Sequence, residues 1–152
     1  MNKQLCDFCT LPESHYGVSL SAGNFNCLSL QKCVNHILSD LMGKSIKDGD
    51  IVFNDIPGEI FVSTNKEILT EIIRLLLRTI VVNDRKNIIH ISSKLIGNIT
   101  LIHLRNCYTE LNDNITGQLQ QIEPLAEKLG GCVTISKNKM YGLSLTFTFI
   151  NH

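Results

Sequence analysis

The chain has 152 residues, and its 14 Lys plus Arg are balanced by 14 Asp plus Glu, so the formal charge is zero with histidine neutral. That balance argues against a nucleic-acid module, which needs an excess of Lys and Arg for phosphate contacts. With 43% hydrophobic and 18% charged residues the chain is too apolar for a disordered segment, and a chain of this length buries roughly 70% of its unfolded surface, enough for one core.

Residues 1–23 are irregular, with Pro12, Gly17, Gly23 and little period. From Asn24 onward the pattern is dense, with no linker and no repeat, so one domain, 24–152, follows a loose N-terminal extension. The first predicted helix covers 30–42, with Ser29 as cap, Gly43 just past its end, and Leu30, Val34, Ile37, Leu38 and Leu41 in one apolar stripe. Two short strands follow, 50–54 and 59–63, separated by the Ile56-Pro57-Gly58 turn. Thr64-Asn65-Lys66-Glu67 reads as a capping box for a second helix, in which Ile68, Leu69, Ile72, Ile73, Leu76 and Ile80 recur at helical spacing. Strands at 87–92 and 98–105 are joined by a Gly97-Asn98 turn. Asn112-Asp113-Asn114 reads as a loop. Ile115, Leu119, Ile122, Ala126 and Leu129 then form a third amphipathic helix that ends at Gly130-Gly131, with Pro124 either kinking it or marking a restart. Strands at 133–136 and 142–150 close the chain; in the last, Leu143, Leu145, Phe147 and Phe149 alternate with polar residues. The predicted order is α, β, β, α, β, β, α, β, β. It fits an α+β two-layer sandwich: a mixed, mainly antiparallel sheet with about three helices on one face.

This order resembles the ATPase domain of sensor histidine kinases, the GHKL or Bergerat fold shared with DNA gyrase and MutL-type proteins. FNCLSLQKCVNHILSDL resembles the opening helix, STNKEILTEIIRLLLRTI the N-box helix, and NITLIHLRNCYTEL the strand running into the first glycine box. LAEKLGGCVTISKNKMYGLSLTFTFI resembles the closing helix, Gly-Gly turn and last hairpin. The resemblance implies ATP held through magnesium, and the residues depart from it there. The metal-binding Asn falls on Arg78, with Arg74 one turn earlier, and a guanidinium has no acceptor to offer Mg²⁺. The adenine-binding Asp falls on Asn106, in Asn106-Cys107-Tyr108-Thr109-Glu110, where both glycines are gone. The second glycine box keeps only Gly117. The expected nucleotide-pocket positions are thus Arg74, Arg78, Asn106, Glu110 and Gly117. Arg74 and Arg78 either grip phosphate without metal or pair with Glu71 or Glu67 on their own helix.

The resemblance, with these departures, implies a non-catalytic binding or regulatory module without cofactor, in bacterial two-component signalling. Its partner would be a receiver domain, a kinase, or a second copy in a homodimer. The alternative is a histidine-kinase-related domain that takes ATP by unorthodox contacts. The 23 residues ahead of the match are expected to be too few for a phospho-acceptor hairpin, and His15 reads as a loop histidine.

The remaining constellations are weaker. Cys6-Asp7-Phe8-Cys9, with Cys33-x-x-His36, has zinc-ligand spacing, but on a helix Cys33 and His36 diverge, so a metal site is the minority reading. No window reaches the ~18 apolar residues of a bilayer span, since Arg74 and Arg78 break the greasiest stretch, and the N-terminus lacks the apolar core of a secretory signal. A cytoplasmic location is therefore expected, with Cys6, Cys9, Cys27, Cys33, Cys107 and Cys132 as thiols. His90 and His103 are expected roughly opposite each other on adjacent strands. They share an outer sheet face with Ile88, Ile99 and Leu101, apolar enough to be a contact surface covered by a second copy or by the N-terminal extension.

Overall fold

A computed structural model describes residues 25–152, and their side chains from Cys27 onward. Ten elements follow one another: β1 (Phe25–Ser29), α1 (Leu30–Leu41), β2 (Ile51–Asn54), β3 (Phe61–Asn65), α2 (Lys66–Ile80), β4 (Ile88–Ile96), β5 (Ile99–Asn106), α3 (Asp113–Lys128), β6 (Cys132–Asn138) and β7 (Gly142–Ile150). Nine of them answer to the predicted order. β1 is the addition, invisible in the sequence because it runs into α1 without a turn. Ser29 is both its last residue and the cap of α1, accepting from Lys32 N–H at 3.3 Å.

The strands form a two-stranded antiparallel ribbon, β1–β3, and a five-stranded sheet in the order β2-β4-β5-β7-β6. Every neighbouring pair in the larger sheet is antiparallel except β2–β4. The two short predicted strands therefore do not pair with each other: β2 joins the sheet edge, and β3 turns away to meet β1. The chain must leave the sheet between parallel strands, and β3 and α2 make that crossover.

The helices cover one face. Val34 and Ile37 of α1, Leu69, Ile72, Ile73, Leu76 and Leu77 of α2, and Ile115, Ile122 and Ala126 of α3 are buried against the inward residues of the sheet. Those inward residues include Ile89, Ile91, Ile102, Leu104, Leu145 and Phe147. Burying such side chains, each worth about 1.5–3 kcal/mol, explains why α2 forms although its interior carries Arg74 and Arg78. The cap of α2 is Asn65, not Thr64: its side chain accepts from Ile68 N–H at 3.1 Å. Thr64 is instead buried in β3, where its hydroxyl has no partner. Asn112-Asp113-Asn114 is the cap and first turn of α3 rather than a loop, and α3 runs unbroken through Pro124.

Gly97 and Gly131 are among the glycines that geometry demands. Gly97 takes φ +61° in the β4–β5 turn, and a Cβ on Gly131 would lie 1.7 Å from Thr148 O, where α3 hands over to β6 against β7. His90 pairs with Arg105, and His103 with Ser92. The two histidines are therefore diagonal neighbours on the outer face, displaced by two residues from the expected opposition.

Candidate functional site

A cleft of about 570 Å³ opens where the C-terminal end of α2 faces the loop after β5 and the start of α3. Arg78, Asn83, Asp84 and Arg85 come from the α2 side, Tyr108, Thr109 and Glu110 from the loop, Asn114 and Gln118 from α3, and Lys44 from the turn after α1. Lys44, Arg78 and Arg85 outnumber Asp84 and Glu110, so the cleft carries a small positive excess. Arg78 is exposed and makes no ion pair with any described carboxylate.

Beneath the cleft lies a polar network. The last carbonyls of a helix lack intrahelical donors and must find them elsewhere. Here Ile80 O accepts from Asn106 Nδ2 at 2.9 Å and from the Thr109 hydroxyl. Val82 is held at both ends by Asn87, whose Oδ1 accepts from Val82 N–H at 2.8 Å and whose Nδ2 donates to Val82 O at 3.1 Å. Asn106 Nδ2 also donates to Asn87 Oδ1 at 2.8 Å, and Asn106 Oδ1 accepts from Tyr108 N–H at 3.2 Å. Asp50 extends the network: its carboxylate accepts from Asn87 N–H and Lys47 N–H, both at 2.8 Å. Desolvation pushes the Asp50 pKa up, but these hydrogen bonds outweigh it and hold the carboxyl below its ordinary range.

The five predicted pocket positions do not converge. Arg78 and Glu110 line the cleft. Arg74 faces the groove between α1 and α2 instead, paired with Asp40 at 3.5 Å and Glu71 at 3.4 Å. One α-helical turn separates Arg74 from Arg78, but Asp40 on α1 draws the first away. Asn106 is fully buried, and its amide is consumed by the network. Gly117 lies on α3 with open space beside its Cα, so nothing in the chain requires glycine there. Lys44, Arg85, Asn87 and Thr109 escaped sequence reasoning. Lys44, Arg85 and Asn87 belong to no motif, Thr109 lies in the glycine-box run without a role of its own there, and only the fold brings the four to the same place.

Both amide hydrogens of Asn106 point at protein acceptors, and its oxygen takes a backbone N–H, which leaves little for an adenine amino group. At the expected metal position Arg78 presents a cation that repels Mg²⁺.

The α1–α2 groove holds Cys33 and His36 of the zinc candidates; Cys6 and Cys9 lie outside the described residues. The Cys33 thiol lies 3.8 Å from the Thr70 hydroxyl, and burial raises its pKa against the lowering influence of Thr70 and Lys66. Among the described residues, no three His, Cys, Asp or Glu side chains gather around one point. Cys33, Cys107 and Cys132 are free thiols, whereas Cys27 is disulfide-bonded, against the expectation of thiols throughout. No described helix is long and apolar enough to cross a membrane.

No protein-family model matches the sequence, and no curated protein matches it. Solved structures do match in shape. The chain superposes on the Acinetobacter baumannii histidine kinase AdeS with a TM-score of 0.72 at 12% identity, over 85% of this chain and 68% of that one. The catalytic domain of the histidine kinase ThkA gives 0.68 at 11% identity, over 84% and 96%. Full-length ShkA, solved in complex with AMPPNP, gives 0.69 at 9% identity, over 85% and 32%. The chain thus has the fold of histidine-kinase catalytic domains, as the order and landmarks of its sequence imply.

Proposed function

We propose that this domain keeps the histidine-kinase catalytic fold without its MgATP chemistry and acts as a non-catalytic binding or regulatory module in two-component signalling. Its partner is a protein: a receiver domain, a kinase, or a second copy of itself. It carries no resident cofactor and works in the cytoplasm, a location that the free thiols of Cys33, Cys107 and Cys132 support and that the disulfide at Cys27 opposes. The observation that carries the reading is the engagement of Asn106. The residue at the adenine-reading position is buried and spends its hydrogen-bonding groups tying the end of α2 to Asn87, just ahead of β4, and to the loop after β5. A pocket built to read adenine keeps that group free for the base.

A thermal-shift titration tests it. A ligand at 100 times its Kd adds about 2.7 kcal/mol of stability, several degrees for a domain of this size. Millimolar MgATP is expected to leave the melting temperature unchanged; a magnesium-dependent rise of several degrees overturns the reading. The second reading, nucleotide held without metal, draws on the unpaired Arg78 beside Lys44 and Arg85 in the cleft. It requires ATP to stabilise the protein equally well in EDTA, and Arg78→Ala to abolish that gain.

A further inference from the structure

The outward positions of the five-stranded sheet hold no Asp or Glu. The carboxylates of the described chain sit on helices and connections, with Asp50 and Asp55 immediately before and after β2. Across the sheet His90 faces Arg105, which faces Ser144, which faces Ser136. In the next rows Ser92, His103, Thr146 and Thr134 align, then Lys94, Leu101, Thr148 and Cys132. A zero-charge chain has thus sorted its charges, so that the outward strand positions carry cations, imidazoles, hydroxyls and apolar side chains but no carboxylate.

Among the described residues the cations on this face have no carboxylate counterparts. Neither Lys94 nor Arg105 pairs with any described carboxylate. Arg105 Nε is shielded from solvent with no acceptor, and its guanidinium lies 5.3 Å from the centre of the Tyr141 ring. With Nε shielded, the outer guanidinium nitrogens, held beside the Tyr141 ring and paired with no described carboxylate, are the donors that a docked carboxylate would meet. His103, desolvated and next to Arg105, is held below its ordinary pKa, as expected in a positive environment.

Apolar side chains flank the stripe. Ile51 and Phe53, 48% and 44% exposed, stand at the β2 edge, where Phe53 stacks on His90 at 4.8 Å. Ile96 and Ile99, 61% and 42% exposed, stand at the β4–β5 turn. We propose that this face docks an acidic protein segment, with carboxylates on Arg105 and Lys94 and apolar side chains on Ile51 and Phe53 or on Ile96 and Ile99. Aliphatic flanks suit a protein better than a phosphate backbone, which would leave them wet. A second copy facing this one would set Arg105 and Lys94 against their own kind, and like charges across an interface repel. The self-associated dimer expected through this face is therefore disfavoured, and the N-terminal extension, the other expected cover, lies outside the described residues. The inference rests on the reading above only in treating the domain as a binding module. It uses no residue of the cleft, so a nucleotide result leaves it standing.

The test is selection of random displayed peptides on the full chain, followed by fluorescence anisotropy of the enriched peptides. Enrichment of Asp and Glu interspersed with apolar residues is expected. Arg105→Glu and Lys94→Glu should each weaken binding about fivefold or more, as should raised salt, while the same reversal on the helix layer, Lys128→Glu, leaves it intact. Lys94 is exposed, so its variant keeps the test open if Arg105→Glu does not fold. Enriched peptides without acidic bias, or bound equally by both charge reversals, overturn the proposal. So does competition by an oligo-dT strand stronger than by the peptides, or a wild-type dimer in sedimentation that the same substitutions break.

Discussion

Replacing Asn106 tests the network under the cleft. Alanine removes three hydrogen bonds: to Ile80 O, to Asn87 Oδ1, and from Tyr108 N–H. Both abandoned acceptors keep another donor, the Thr109 hydroxyl and Val82 N–H respectively. The loss is therefore close to the net worth of three ordinary hydrogen bonds, about 3 kcal/mol, or a fall of about 6–12 °C in melting temperature. Aspartate is the sharper probe, because it restores the residue type the fold's kinases use for adenine. Here it would aim a second oxygen at two acceptors, with Tyr108 N–H as its one remaining donor. Ionised, it is an unpaired buried charge costing about 3–5 kcal/mol beyond the lost bonds; otherwise it takes up a proton and its pKa rises. A carboxyl with a raised folded-state pKa loses stability as pH climbs from the unfolded value of about 3.9. The deficit of Asn106→Asp should therefore widen from pH 4 upward and level off above the raised pKa. Equilibrium denaturation in urea at several pH values measures it. A variant as stable as wild type, or a deficit that does not change with pH, would refute the assignment of Asn106 to the network.

Asp50 provides a prediction of opposite sign. Its folded-state pKa is lowered, so its contribution is complete above the ordinary carboxyl pKa of about 3.9 and disappears as pH falls through the lower native value. Asp50→Asn should cost about 1–2 kcal/mol at pH 7 and flatten the acid limb of the stability curve; an unchanged acid limb contradicts this. For cysteine, alkylation followed by peptide mapping should label exposed Cys107 and Cys132 quickly and Cys33 slowly, since burial holds its thiol protonated. Elemental analysis should find far less than one zinc per chain. Stoichiometric zinc, lost with structure on chelation, would instead bring Cys6, Cys9, Cys33 and His36 forward.

Local signals carried much of the architecture. The stripe Leu30, Val34, Ile37, Leu41, the run from Leu69 to Ile80, and the alternation from Leu143 to Phe149 each state which face is buried, because periods of 3.6 and 2 follow from backbone geometry alone. The same sequence discloses that Arg78 stands at the expected metal position and that the glycines around Asn106 are gone, which points away from MgATP before any coordinate is known. Pairing is another matter. Nothing in 51–54 tells that β2 runs parallel to β4, or in 25–29 that a strand meets β3, since such partners are remote in sequence and their hydrogen bonds are indifferent to side-chain identity. The site divides in the same way. The sequence alone places Asn106 among the expected nucleotide-pocket positions. Only the tertiary structure sets Ile80 O, Asn87 and Tyr108 N–H around it, sends Arg74 to Asp40, and sorts a balanced set of charges so that one sheet face has no carboxylate. Hydrophobic periodicity is a property of neighbours along the chain, whereas the use of a polar group depends on which donors and acceptors the folded chain brings within 3 Å of it.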